Sequence, residues 1–266
     1  MSLKIQSLKI DSPQGWQTTS ISDPEKQRFN GIIQKKIGII IQLIHNSVQD
    51  EQGNIQFEYD SPLFCEMQGA ISVPYFTDSS NNIHIGFVHI DRPVLNVNID
   101  SYHTYLEKAL KEEKPEILLE ENIFGDNLTE IPRGMGEKIA GKIASSLKIA
   151  TNEADEEMGI KTIQNIDLIG NTYWNTSFSP TKVPVYALEI SSDIQDLKPQ
   201  ELEAISGIEF IEINKANQMI LNGEILDSMS ITAIKQLELF LDKKSKEKLD
   251  IPKNLWEFII SLNPFS

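Results

Sequence analysis

The chain has 266 residues, of which 40% are hydrophobic, enough for one large domain or a domain with an appended lobe around a sizeable core. A balance of 24 Lys and Arg against 39 Asp and Glu gives a formal net charge of −15, which repels phosphate backbones and anionic lipid and excludes duplex nucleic acid and membrane surfaces as expected partners. Cys65 is the single cysteine and can form no internal disulfide, the four histidines are scattered, and the start lacks the order of a signal peptide, so a soluble protein of a reducing cytoplasm is expected.

Asp23 and Pro24 read as an N-cap and first helical position. Phe29, Ile32, Ile33, Ile37, Ile40, Ile44 and Val48 follow at three- and four-residue spacing, which predicts a long amphipathic helix over residues 24–48, broken by "DEQGN". The apolar stretch "IGIIIQLI" from Ile37 is far short of the roughly 20 residues of a membrane span. "NIQFEY", "GAISVPYF" and "IHIGFVHI" read as strands, with "TDSSNN" as a polar turn between the last two. Residues 101–114 are rich in Glu and Lys and read as an exposed helical insertion.

A helix carrying "NEADEEMGI", residues 152–160, comes next. Ile143, Leu147, Ala150, Ala154 and Met158 define its buried face, with Glu153, Glu156 and Glu157 at i, i+3 and i+4 on an adjacent sector. Gly159 supplies the left-handed stop. Three carboxylates sharing one face repel unless a cation joins them, and hard divalent ions prefer such oxygen-rich sites. "TIQNIDLIGNTYW" and "VPVYALEI" read as strands joined by the polar loop "NTSFSPTK", "GIEFIEI" as a further strand, and the tail as a helix from Asn214, a break at Gly223 and a second helix over 229–241. Strands at the centre with helices around them indicate an α+β protein.

These residues resemble the Nudix hydrolases, and among them the ADP-ribose and nucleotide-sugar pyrophosphatases. The family signature is G-x5-E-x7-R-E-U-x-E-E-x-G-U, with U a bulky aliphatic, and its second half is matched by Glu153, Glu156, Glu157, Gly159 and Ile160, with Ala154 small for U. "EIPRGMGE", Glu130 to Glu137, resembles the lead into the box, "HIDRPVL" the strand whose arginine is here Arg92, and "GEILDSMSITAI" the segment opening the last helix. The first half departs from the signature: Asn152 stands for its arginine, Ala144 for its first glutamate and Lys138 for its first glycine. If Gly134 is the box glycine instead, the loop is longer by four residues.

The resemblance implies a Nudix-type α/β/α sandwich over 67–245, with a helical insertion near 101–120. It leaves an N-terminal extension over 1–66, expected to pair two copies into a homodimer through its long helix, and a tail over 246–266. It implies a Mg²⁺- or Mn²⁺-dependent hydrolase of the pyrophosphate in a nucleoside diphosphate derivative. Glu153, Glu156 and Glu157 would be metal ligands with the backbone carbonyl near Arg133, Arg92 and Arg133 would contact substrate, and Trp174 would stack on a ring. Glu156 and Glu189 are the candidate catalytic acids, because the loop "NTYWNTSFSPTK", where the family often keeps its base, contains no acid. Neutral Asn152 replaces a charge-assisted hydrogen bond with a weaker one, so a loosened metal site is expected unless another cation, Lys142 or Lys148, takes over. The alternative expectation is a module that keeps the fold and some ligand affinity but has lost turnover.

Overall fold

The computed structural model describes residues 4–9, 33–34, 39–50, 52–92, 99–112, 125–136, 138–139, 141–176, 179–193, 197–200 and 205–249. Its strands are β1 (Lys4–Lys9), β2 (Ile33–Gln34), β3 (Ile39–Gln49), β4 (Ile55–Cys65), β5 (Ala70–Thr77), β6 (Ile83–Arg92), β7 (Gly125–Glu130), β8 (Arg133–Gly134), β9 (Lys138–Ile139), β10 (Lys142–Ile143), β11 (Asn165–Tyr173), β12 (Lys182–Glu189) and β13 (Ile205–Glu212). The helices are α1 (Ile99–Glu112), α2 (Ser146–Met158), α3 (Ile213–Leu221) and α4 (Ser228–Leu249). None of the described helices is long and apolar enough to cross a membrane.

Seven of the described strands form a mixed sheet in the order β11-β12-β5-β6-β13, in which only β12 and β5 run parallel. β5 and β6 pair directly at Tyr75–Thr77 and Ile83–Ile85. Toward the other end β7 pairs with β6 and β8 with β5, so the segment 125–134 fills the fork between them. Alternate residues of β5 meet different helices, as a two-residue period requires. Ile71, Val73 and Tyr75 pack with Met229, Ala233, Ile234 and Leu237 of α4. Ala70 packs with Ile149 and Ala150 of α2, and the Ser72 hydroxyl donates to the Ala150 carbonyl at 2.6 Å. Burying each Ile or Leu in these seams stabilises the fold by about 1.5–3 kcal/mol.

The expected helix over 24–48 is corrected by β3. Ile39–Gln49 is a strand, paired on one side with β4 and on the other with β1 and β2. Isoleucines spaced three and four apart satisfy a helical template, yet consecutive Ile39, Ile40 and Ile41 are β-branched and favour a pleated backbone with neighbours on both sides. Residues 24–32 and 35–38 lie outside the described residues, and the helix-based argument for a dimer loses its premise. The expected insertion is helical over Ile99–Glu112, and residues 113–124 lie outside the described ones.

Two hairpins use one turn design. Asp50 accepts from the N–H groups of Gln52 and Asn54, and Asp78 from those of Ser80 and Asn82, while the third residue after each aspartate takes positive φ, Gly53 at 86° and Asn81 at 64°. Backbone bonding from Asn82, with a bond to His84 at 3.1 Å, lowers the Asp78 carboxyl from 3.8 to about 2. A depressed carboxylate stabilises the fold above its unfolded pKa and loses that contribution as pH falls through the folded one. The melting temperature of the parent should therefore exceed that of Asp78→Ala by a constant margin above about pH 5, and the margin should shrink as pH drops from about 4 toward 2. A margin that does not change with pH would show that the ionised carboxylate does not hold this turn.

Candidate functional site

Ser145 caps α2, its side chain accepting the Lys148 N–H at 3.2 Å, and Gly159 ends the helix at φ 73°. The Gly159 and Ile160 N–H groups bond back to Asp155 and Ala154 at 2.8 and 2.9 Å, a Schellman stop. The buried face differs from the expected one. Ile143 lies before the helix, in β10, and is 66% exposed, and Leu147 is 43% exposed, whereas Ile149, Ala150, Ala154, Glu157 and Met158 are buried. At about 100° per residue Glu157 falls only some 20° from Ala150, so it belongs inside the buried arc rather than beside it.

Glu157 is 3% exposed, and its Oε2 accepts the backbone N–H of Arg133 at 3.2 Å. Glu153, one turn earlier, lies against Gly134: a Cβ placed there would stand 1.6 Å from Glu153 Oε1. Two carboxylates of one helix thus meet consecutive residues of β8, which is itself paired to Ala70 and Ile71 at the fork in the sheet. Glu156 is half-buried, and its carbonyl accepts the Gln200 N–H at 2.8 Å.

Arg133 is the hub. Its Nη1 donates to Asp227 Oδ1 at 2.9 Å, its Nη2 to Glu130 Oε2 at 3.1 Å, and its guanidinium carbon lies 5.9 Å from the centre of the Trp174 ring. Asp227 stands just before α4 and accepts the Ser230 N–H and hydroxyl at 2.8 and 2.6 Å, while Ser230 Oγ accepts the Ile131 N–H at 2.9 Å. Burial pushes the Asp227 carboxyl up, but the Arg133 charge and the bonds from Ser230 and Arg133 outweigh it and hold it below the usual carboxylate range. Glu66 feels the same cation. Burial raises its carboxyl, with Arg133 pulling the other way, and its Oε2 is buried with no hydrogen-bond partner among the described residues. Removing one member of this partly buried network leaves a charge without its partner, so the network is also a structural clamp.

The structure therefore brings Glu153, Glu157, Arg133 and Trp174 together. The Arg133 guanidinium, expected to contact substrate, is bonded here to the two carboxylates of Glu130 and Asp227. Glu189 is not brought in. Leu188 packs with Ala154 and Met158 of α2, so the next residue turns to the opposite face, where Glu189 Oε2 is 3.4 Å from the Tyr75 hydroxyl and 3.8 Å from Lys244 Nζ of α4. Arg92 ends β6 opposite Gly125, and its side chain lies outside the described residues. Glu130 and Asp227 went unassigned in the sequence although both stand in the quoted motifs, and Asp227 followed by Ser230 was a readable helix-cap signal. Glu66 carried no such signal.

No three His, Cys, Asp or Glu side chains among the described residues are gathered closely enough to hold a metal ion, so Glu153, Glu156 and Glu157 do not form a ready-made cage. The pair Glu153 and Glu157 fits a different arrangement. Mg²⁺ commonly takes one or two carboxylates and completes its shell with water and substrate phosphates.

Fold and site together define a mixed α+β protein with a carboxylate pair and an arginine-centred acidic cluster at one end of its sheet. No protein-family model matches the sequence, and no curated protein matches it. Solved structures that match include the NUDIX domain of Shewanella oneidensis NrtR complexed with ADP ribose, at a TM-score of 0.42 and 12% identity over 66% of this chain and 88% of that one.

Proposed function

We propose that the chain is a Nudix-type hydrolase, an α/β/α sandwich that cleaves the pyrophosphate of a nucleoside diphosphate derivative with Mg²⁺ or Mn²⁺. The observation that carries this reading is the placement of Glu153 and Glu157, two glutamates that match the signature, against Gly134 and the Arg133 N–H. Glu153 and Glu157 would hold the ion, which would supply Lewis acidity toward the phosphates and a lowered pKa to a bound water. Glu156, on the same helix face, takes a water-mediated place beside them. Trp174, 42% exposed next to Arg133, offers a ring face to the base or sugar side of the ligand.

The test is product release from a panel of dinucleoside and nucleotide-sugar diphosphates. Turnover of at least one substrate with Mg²⁺ or Mn²⁺, stopped by a chelator and restored by adding the ion back, is the expected result. Binding of a nucleoside diphosphate derivative without turnover of any would favour the second reading, a ligand-binding module, for which the departures at Asn152 and Ala144 speak. Neither binding nor turnover would remove both.

A further inference from the structure

We infer that Arg133 is the positioning residue of the Glu153–Glu157 pair, in the place that a charged side chain at position 152 would hold. The inference rests on reading that pair as a metal site. A neutral amide at Asn152 offers no charge to orient a carboxylate, and Lys142 and Lys148, on the same stretch of chain, are both exposed. Arg133 instead lies against the pair with its backbone. Its N–H fixes Glu157 Oε2, and the next residue, Gly134, leaves open the space that Glu153 fills.

What keeps that peptide in place is the side chain of the same residue. The guanidinium is held from two directions, by Glu130 through Nη2 and by Asp227 through Nη1. Asp227 is in turn fixed by Ser230, whose hydroxyl also takes the Ile131 N–H, so the bonds close a ring from Ile131 through Ser230 and Asp227 back to Arg133. Within this ring the peptide carrying the Arg133 N–H has little freedom to rotate away from Glu157. A lysine would keep the charge but could not reach two carboxylates with a planar fork.

The experiment is titration of the full chain with Mn²⁺ alone, followed by water-proton relaxation, with thermal melts to show that each variant is folded. Arg133→Lys and Glu130→Gln should each weaken Mn²⁺ binding by about 10- to 100-fold, the usual effect of removing a group that orients a metal ligand. Should either not fold, Asp227→Asn, which keeps a helix-capping side chain, replaces it. Asn152→Arg should change little in the parent and should recover most of the lost affinity in the Arg133→Lys background, a rescue that a merely structural role would not give. Parental Mn²⁺ affinity in the folded variants, or a loss that Asn152→Arg does not recover, overturns the positioning role and leaves the metal site standing. A parent that binds no Mn²⁺ overturns the metal reading itself, and this inference with it.

Discussion

Glu157→Gln should lower turnover by about 10²–10³-fold or more, the scale lost when a charge-stabilising group is removed from a reacting centre, with little change in stability. The substitution keeps the shape of the side chain and a carbonyl oxygen that can accept the Arg133 N–H, now made by Glu157 Oε2 at 3.2 Å. It removes the negative charge that the proposed metal site would require. Glu157→Ala tests the other half of the argument: it leaves a partly buried N–H without this acceptor, at a cost of up to about 1–3 kcal/mol. Steady-state rates at saturating Mg²⁺ and urea denaturation midpoints measure the two effects separately. A Gln variant that turns over substrate at the parental rate would take this carboxylate out of the chemistry.

Gly134→Ala should cost activity by about 10²-fold, because displacement of a reacting group by some 1 Å has consequences of that size. The new Cβ would stand 1.6 Å from Glu153 Oε1 and 2.0 Å from its Cδ, so one of the two must give way. The obstacle is the end of a flexible side chain on a half-buried helix position, so Glu153 will swing aside and the fold will survive. The expected signature is a fall in kcat/KM and in metal affinity with a denaturation midpoint close to the parent's. If instead the variant unfolds early and its remaining folded fraction is fully active, the glycine serves the packing of β8 and not the placement of Glu153.

The sequence by itself determined the parts that depend on short-range periodicity and local stereochemistry. Alternation marked β5, β6, β11, β12 and β13, and the left-handed glycine marked the end of α2 at Met158. The spacing of the glutamates placed Glu153 and Glu157 on one side of that helix, and the structure set both against "PRG". It did not determine β3, because the isoleucines of 37–48 fit both a helical and a pleated template. Partners decided between them: β4 from across the turn at Asp50, and β1 at Lys4–Lys9. Nor did it determine which way side chains face when the answer depends on a neighbouring strand. Glu189 reads as a strand carboxylate near a loop, yet its register opposite Tyr75 sends it to Lys244 on the far face. The partners of Arg133 were decided in the same way. Asp227 lies 94 positions along the chain, and only the fork between β5 and β6, filled by 125–134 and closed by the start of α4, brings its carboxylate to that guanidinium. Hydrogen bonds and charges act over a few ångströms of space whatever the separation along the chain, so a pair of this kind exists only once the sheet and helices have packed.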